Sequence, residues 1–396
     1  MAGSQGTVSR GIKAPIIKEG DNLPEIVVSS VLTAASENGF GLRDRDVVAV
    51  TEAVVARAQG NYANIADIAA DVKAKFPDGK IGVIFPILSR NRFAVCLKGI
   101  AEGADKVFLM LSYPSDEVGN PLITVSQLEQ STVNPYTDTL SEAKFRELFG
   151  YGKHLFTGVD YIEYYKEIIT GAGAEAEIIF SNNPVSILKY TKNIICADIH
   201  TRKLTKERLL KNGAEKAIGM DEILNAPVNG SGFNPDYGIL GSNKATEGKV
   251  KLFPKDCDAF VADVAARFYE KTNKRIEVMV YGDGAFKDPV GHIWELADPV
   301  VSPAYTSGLT GTPNELKLKY LADNDFPDLN GEELKKAILE RIKAKKNNLK
   351  GDMASEGTTP RRLTDLLGSL ADLTSGSGDK GTPIVLIQGY FDNYAD

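Results

Sequence analysis

Asp283 stands between Gly282 and Gly284, directly after the apolar run Ile276 to Tyr281. A carboxylate released at the end of a buried strand, with glycines that let other backbone come close, suits a divalent metal or a metal-bound nucleotide. The plainer reading is a Gly-Asp-Gly turn whose carboxylate bonds its own backbone. A second chemical stretch is Thr374-Ser375-Gly376-Ser377-Gly378-Asp379-Lys380-Gly381-Thr382-Pro383. Its glycines let backbone amides approach phosphate oxygens, and Lys380 adds a mobile positive charge. The order is helix, loop, strand, whereas a P-loop runs strand, loop, helix, so this is no Walker motif.

Arg57 lies just beyond the β-branched run Val47 to Val50, together with Thr51 and Glu52. Open α/β sheets place ligands at such strand ends. Arg90 and Arg92, after Pro86 and before a helical segment, form a carboxylate or phosphate clamp or a solvated helix start. Asp198 and His200 share one Asp-x-His spacing, which is weak evidence for a metal against a hydrogen-bonded structural pair. Lys18 and Glu19 follow a first apolar segment and could touch a ligand or simply face water. His292 and Trp294 read as structural, as does the turn-rich Ser302 to Pro313 stretch.

These residues need elements to hold them. Strands are expected at Ile12 to Ile17, Val47 to Val50, Ile81 to Phe85, Val107 to Leu111, Ala176 to Phe180, Asn193 to Ala197, Ile276 to Tyr281 and Ile384 to Ile387. Between them, helical spacing covers Val27 to Ala35 behind an Asn22/Glu25 capping box around Pro24. It also covers Ile65 to Phe76, a segment ending near Gly103, Leu204 to Leu210, Met220 to Leu224, Ala259 to Tyr269 and Leu363 to Leu373. Thr139 with Glu142 reads as a cap for a further helix. From Gly331 a helix runs acid first and base last, which complements its dipole and marks a solvated face.

Strand and helix alternate, so the fold class is α/β, in a mixed α+β form with sheets covered by helices. At 396 residues the chain exceeds the usual single core. The expected division is 1–111, a middle α/β section at 112–235, and 236–396. A net charge of −7 argues against nucleic acid or an anionic membrane surface as partner. Cys96, Cys196 and Cys257 fit neither a disulfide framework nor a zinc spacing, and no apolar run reaches membrane-spanning length. A soluble, unprocessed, cytoplasmic protein is expected.

Several short blocks resemble one family, the γ-glutamyl ligases that add glutamate to the deazaflavin coenzyme F-420. They are Lys18-Glu19-Gly20-Asp21-Asn22-Leu23, the run from Asp46 to Gly60, Asp236 to Asn243, Thr272 to Asp283, and the Gly-rich turn with its strand. The resemblance covers residues 12 to 60 and 236 to 391 in the family's order, and the middle section is divergent. It implies a γ-glutamyl-ligase-like core at 1–111 and 236–396, a homodimer, and a GTP-dependent ligase using magnesium or manganese. Glutamate would be joined to an acceptor carboxylate, on a deazaflavin or a folate-like molecule, through an acyl phosphate.

On the matching positions it implies Asp283 and Arg57 in catalysis, and Asp283, Asp379 and Asp236 toward metal. Ser242, Asn243, Gly376, Ser377, Gly378, Lys380 and Gly381 would face the nucleotide. The chain departs from the family pattern where acids become Gln59, Leu240 and Ser377 and an arginine becomes Gln388. Those departures leave open a relative that binds a nucleotide or metabolite without turnover. The reading requires that the Gly-rich turn and Asp283 meet in space.

Overall fold

The computed structural model describes residues 5–285, 296–355, 361–376 and 378–395. His292, Trp294 and Ser377, singled out above, lie outside the described residues. The expected α/β class holds: three sheets are covered by helices.

The first sheet is assembled from segments far apart in sequence. Its order is Val8–Ile12, Ile384–Gln388, Val47–Thr51, Glu277–Tyr281, Ala304–Tyr305. Ile384–Gln388 runs antiparallel to both of its neighbours, while Val47–Thr51 and Glu277–Tyr281 run parallel. The run Val47 to Val50 is buried on both faces, as its unbroken apolar character requires. Val48 and Val50 pack under the helices Leu23–Asn38 and Cys257–Thr272. Val47 and Ala49 point the other way, against Leu367 and Ala371 of the helix Leu363–Ser375.

The second sheet has six strands, ordered Leu140–Ser141, Glu175–Phe180, Lys106–Leu111, Lys80–Ile84, Asn193–Cys196, Lys216–Gly219. All but the short Leu140–Ser141 edge are parallel. The chain steps outward from Lys80–Ile84 on one side, then returns to build on the other, a doubly wound order. Ile68, Leu97 and Tyr165 from three helices cover one face; Ile187 and Leu209 cover the opposite one. A three-stranded sheet, Asn243–Thr246, Lys249–Lys251, Tyr62–Asn64, completes the set.

Several expectations need correction. The first strand is Val8–Ile12, not Ile12 to Ile17. After Ile12 the chain leaves the ladder: Ala14 N donates to Gly381 O, and Pro15 has no amide to offer. Thr139 does not cap the next helix; its hydroxyl donates to Ser181 and Ser186, and Ser141 caps Glu142–Phe149 instead. Met220 to Leu224 contains only a 3-10 turn at Met220–Glu222. Residue 111 does not separate the sheets, because Lys80–Ile84 and Lys106–Leu111 pair with strands of the middle section. The helix Tyr161–Gly171, capped by Asp160, was not anticipated.

Candidate functional site

The ends of the first sheet bring the chemical stretches together. Thr51 pairs with Tyr281 in parallel register, and Ile384 lies opposite Val50. The segments after Thr51 and Tyr281 and the turn before Ile384 therefore emerge at one edge. Thr51 N donates to Pro383 O at 3.0 Å. In the turn, Gly376 and Gly381 adopt left-handed φ values of 64° and 65°, and Thr382 Oγ1 donates back to Ser375 O at 2.9 Å.

The loop after Tyr281 is held through its amides. Asp283 N donates to Asp298 Oδ2 at 2.8 Å, Gly284 N to Asp372 Oδ2 at 2.8 Å, and Ala285 N to Ser369 Oγ at 3.0 Å. Asp372 and Ser369 belong to the helix that empties into the Gly-rich turn. The Asp283 loop is thus tied to the helix that leads into the turn. Gly282 has a steric reason: a Cβ there would run into Asp298 Oδ2.

Four carboxylates and two cations gather around this loop. Arg92 Nη2 donates to Asp283 Oδ2 at 2.7 Å, and its Nη1 donates to Asp298 Oδ1. Glu52, at the start of the helix Glu52–Ala58, takes Lys251 Nζ at 3.1 Å to each oxygen. Asp298 and Glu52 are buried, and the Asp283 side chain keeps 30% of its exposure. Burial raises the Asp283 carboxyl well above the usual range, Asp298 adds to this, and Arg92 opposes it. Burial raises Glu52 and Asp372 as well. Burial works against the charge on Arg92, yet Asp298, Asp283 and Glu52 outweigh it and hold the guanidinium protonated.

Hard oxygen donors of this kind are what magnesium or manganese takes. The arrangement is nevertheless closed: among the described residues no group of three or more His, Cys, Asp or Glu side chains is set to hold a metal ion. Arg92 takes two of the acids and Lys251 a third.

The other expected site residues are spread more widely. Arg57 is exposed on Glu52–Ala58. Asp379 and Lys380 are exposed on the one-turn helix Gly378–Lys380. Ser242 is buried, 3.2 Å from Cys96 Sγ, and with Arg92 lines a cavity of about 20 Å³. Asn243 opens the strand Asn243–Thr246, its amide donating to Gly241 O. Asp236 is exposed, its backbone N donating to Asn234 Oδ1. A cleft of about 720 Å³ lies at the opposite end of the sheet, beside Arg45, Tyr390 and Phe391.

Asp298, Asp372 and Lys251 escaped the sequence reading. Asp372 did leave a signal, since an acid in the last turn of a helix opposes the dipole. Asp298 left none.

The F420-0:Gamma-glutamyl ligase family model matches residues 11–389. The chain belongs to this family. A stretch of 84 residues is 36% identical to the Coenzyme F420:L-glutamate ligase of Methanosarcina mazei, covering 20% of this chain and 30% of that relative. Membership in the γ-glutamyl ligase family gives the departures a context. Leu240 sits in the apolar core, 2% exposed, where a carboxylate would have no solvent. Gln59 clamps the backbone of Lys255, donating to its carbonyl and accepting from its amide, which an ionised acid could not do. Gln388 lies at the far end of its strand, donating to buried Asp46 and accepting from Arg10. Its replacement of an arginine therefore does not touch the Asp283 edge.

Proposed function

We propose that the protein joins L-glutamate to an acceptor carboxylate, on a deazaflavin coenzyme or a folate-like molecule, with GTP as phosphoryl donor. The observation that carries this reading is the bond from Gly284 N to Asp372, which ties the Asp283 loop to the helix feeding the Gly-rich turn. A carboxylate is a poor electrophile, so its oxygen attacks the terminal phosphorus and GDP departs. The glutamate amine then attacks the acyl carbon and phosphate leaves. Catalysis of such transfers rests on positioning and charge neutralisation.

In this reading the Gly376–Gly381 turn, with Lys380, takes the phosphates, and Ser242 and Asn243 lie toward the nucleotide. Arg57 takes a phosphate or the acceptor carboxylate. Asp283 with Asp298 would hold the magnesium or manganese, and Asp379 and Asp236 are further oxygen donors. A divalent ion supplies spread of charge on the transferring phosphoryl group. A homodimer and a cytoplasmic location belong to the same proposal. Among the described residues no helix is long and apolar enough to cross a membrane, and the three cysteines are buried free thiols.

A second reading is a relative that binds nucleotide or metabolite without turnover. It is favoured by one observation, the burial of Leu240 where the family pattern places an acid. Calorimetry with GTP and magnesium or manganese on wild type and Asp283→Ala separates the two. Metal-dependent binding lost in the variant, with phosphate release on adding glutamate and acceptor, supports the ligase. Metal-independent binding without phosphate release supports the second reading.

A further inference from the structure

Arg92 is placed unlike any other cation of the site. It precedes the helix Phe93–Glu102, which packs on the six-stranded sheet, yet its guanidinium reaches across to two acids that follow a strand of the other sheet. One arm takes Asp283 and the other Asp298, whose side chains are 191 and 206 residues away. Its side chain is 17% exposed.

We propose that Arg92 is a built-in counter-ion that fills the cation position between Asp283 and Asp298 and is displaced from it when a divalent metal binds. This rests on the reading that the Asp283 cluster takes such a metal. The acids supply hard oxygens of the kind such an ion takes, and Gly282 leaves the space that brings Asp298 against the loop. What blocks it is Arg92. A guanidinium cannot shed its proton to make room. A divalent ion on the same two carboxylates would stand a few ångströms from a like charge, so guanidinium and metal exclude one another. Without Arg92 or a metal the acids would face one another uncompensated, and the resident arginine prevents this. Once displaced, its planar fork of donors is matched to a phosphate or a substrate carboxylate. Metal loading and anion capture are thereby coupled through one side chain.

The test is manganese binding to the full chain, read by calorimetry and by the electron spin resonance of free Mn²⁺, together with thermal unfolding. Arg92→Met is expected to bind Mn²⁺ at least tenfold more tightly than wild type. Arg92→Lys, which keeps the charge but gives up the fork, falls between them. Asp283→Asn on the Arg92→Met background loses the gain. Mn²⁺ also raises the unfolding temperature of Arg92→Met more than that of wild type, because a ligand bound only to the folded form stabilises it. Unchanged affinity in Arg92→Met, with wild-type binding still dependent on Asp283, overturns the displacement while the metal reading survives. Absence of Asp283-dependent Mn²⁺ binding in every chain overturns both. Should Arg92→Met fail to fold, an Arg92→Lys affinity equal to wild type is sufficient to overturn the proposal.

Discussion

The two large sheets end in opposite ways. At the carboxyl end of the six-stranded sheet, local anion-binding groups are already satisfied from within. Glu117 accepts from the amides of Ile199, His200 and Thr201 at the start of the helix Arg202–Lys211. Asp198 is held by the hydroxyls of Thr201 and Thr205, and Asp116 by three amides and Asn120 Nδ2. The switch point of a doubly wound sheet is where ligands bind in many such folds. Here a side chain of the protein takes that role. At the edge of the five-stranded sheet, by contrast, four acids from distant stretches meet two cations, whereas burial raises carboxyls at both edges. Acids paired with cations drawn from other sheets, rather than with local amides and hydroxyls, are what the proposed site has and the other edge lacks. The lesson is that a ligand-binding topology does not by itself locate a function, which has to be argued from the side chains of the site.

Changes at the two edges should therefore separate. Asp283→Ala should lower glutamate-dependent phosphate release by about 10²–10³-fold, in line with removal of one electrostatic contact to a transition state. Turnover within a fewfold of wild type would place the chemistry elsewhere. Gly282→Ala drives a methyl group into Asp298 Oδ2 and should cost about 1–3 kcal/mol of stability, measured by urea unfolding, along with much of the activity.

On the other edge, burial pushes Asp116 up to about 6 although four donors oppose the shift. Between about pH 4 and 6 the native state then binds more protons at this group than the unfolded chain, so stability falls as pH rises through that window. The fall should be about 2–3 kcal/mol and should be missing from Asp116→Asn when unfolding is compared across pH. Glu117→Gln weakens the bond to three amides and should cost about 1–2 kcal/mol, with turnover unchanged. A loss of turnover there would break the contrast between the edges. Arg57→Ala, on an exposed helix face, should leave stability within about 0.5 kcal/mol and raise the KM for acceptor or nucleotide.

How much was legible varies by residue. Val47 to Val50 announced a strand buried on both faces because four consecutive apolar β-branched or small residues leave no face for water. Asn22 and Pro24 marked a helix because caps act within a turn, and they serve as its cap and a first-turn residue. Arg92 could be recognised as a clamp, but not what it clamps. Strand Lys80–Ile84 was legible as a strand, yet its six-stranded sheet was not separable at residue 111, since Gly82 pairs with Ile194, far along the chain. Asp298 carries no local pattern or propensity signal that could have located it.

The amino-acid sequence by itself determined the alternation of strand and helix, the kinship blocks, and the exposure of Asp283 and the Gly-rich turn at strand ends. These follow from periodicities of two and 3.6 residues and from turn chemistry, which act over a few positions. Only the tertiary structure decided that Arg92 crosses between sheets to Asp283 and Asp298, that Lys251 neutralises Glu52, and that Glu117 closes the other edge. Charge balance in a buried site is a sum over groups brought together by packing, and no local pattern carries that sum.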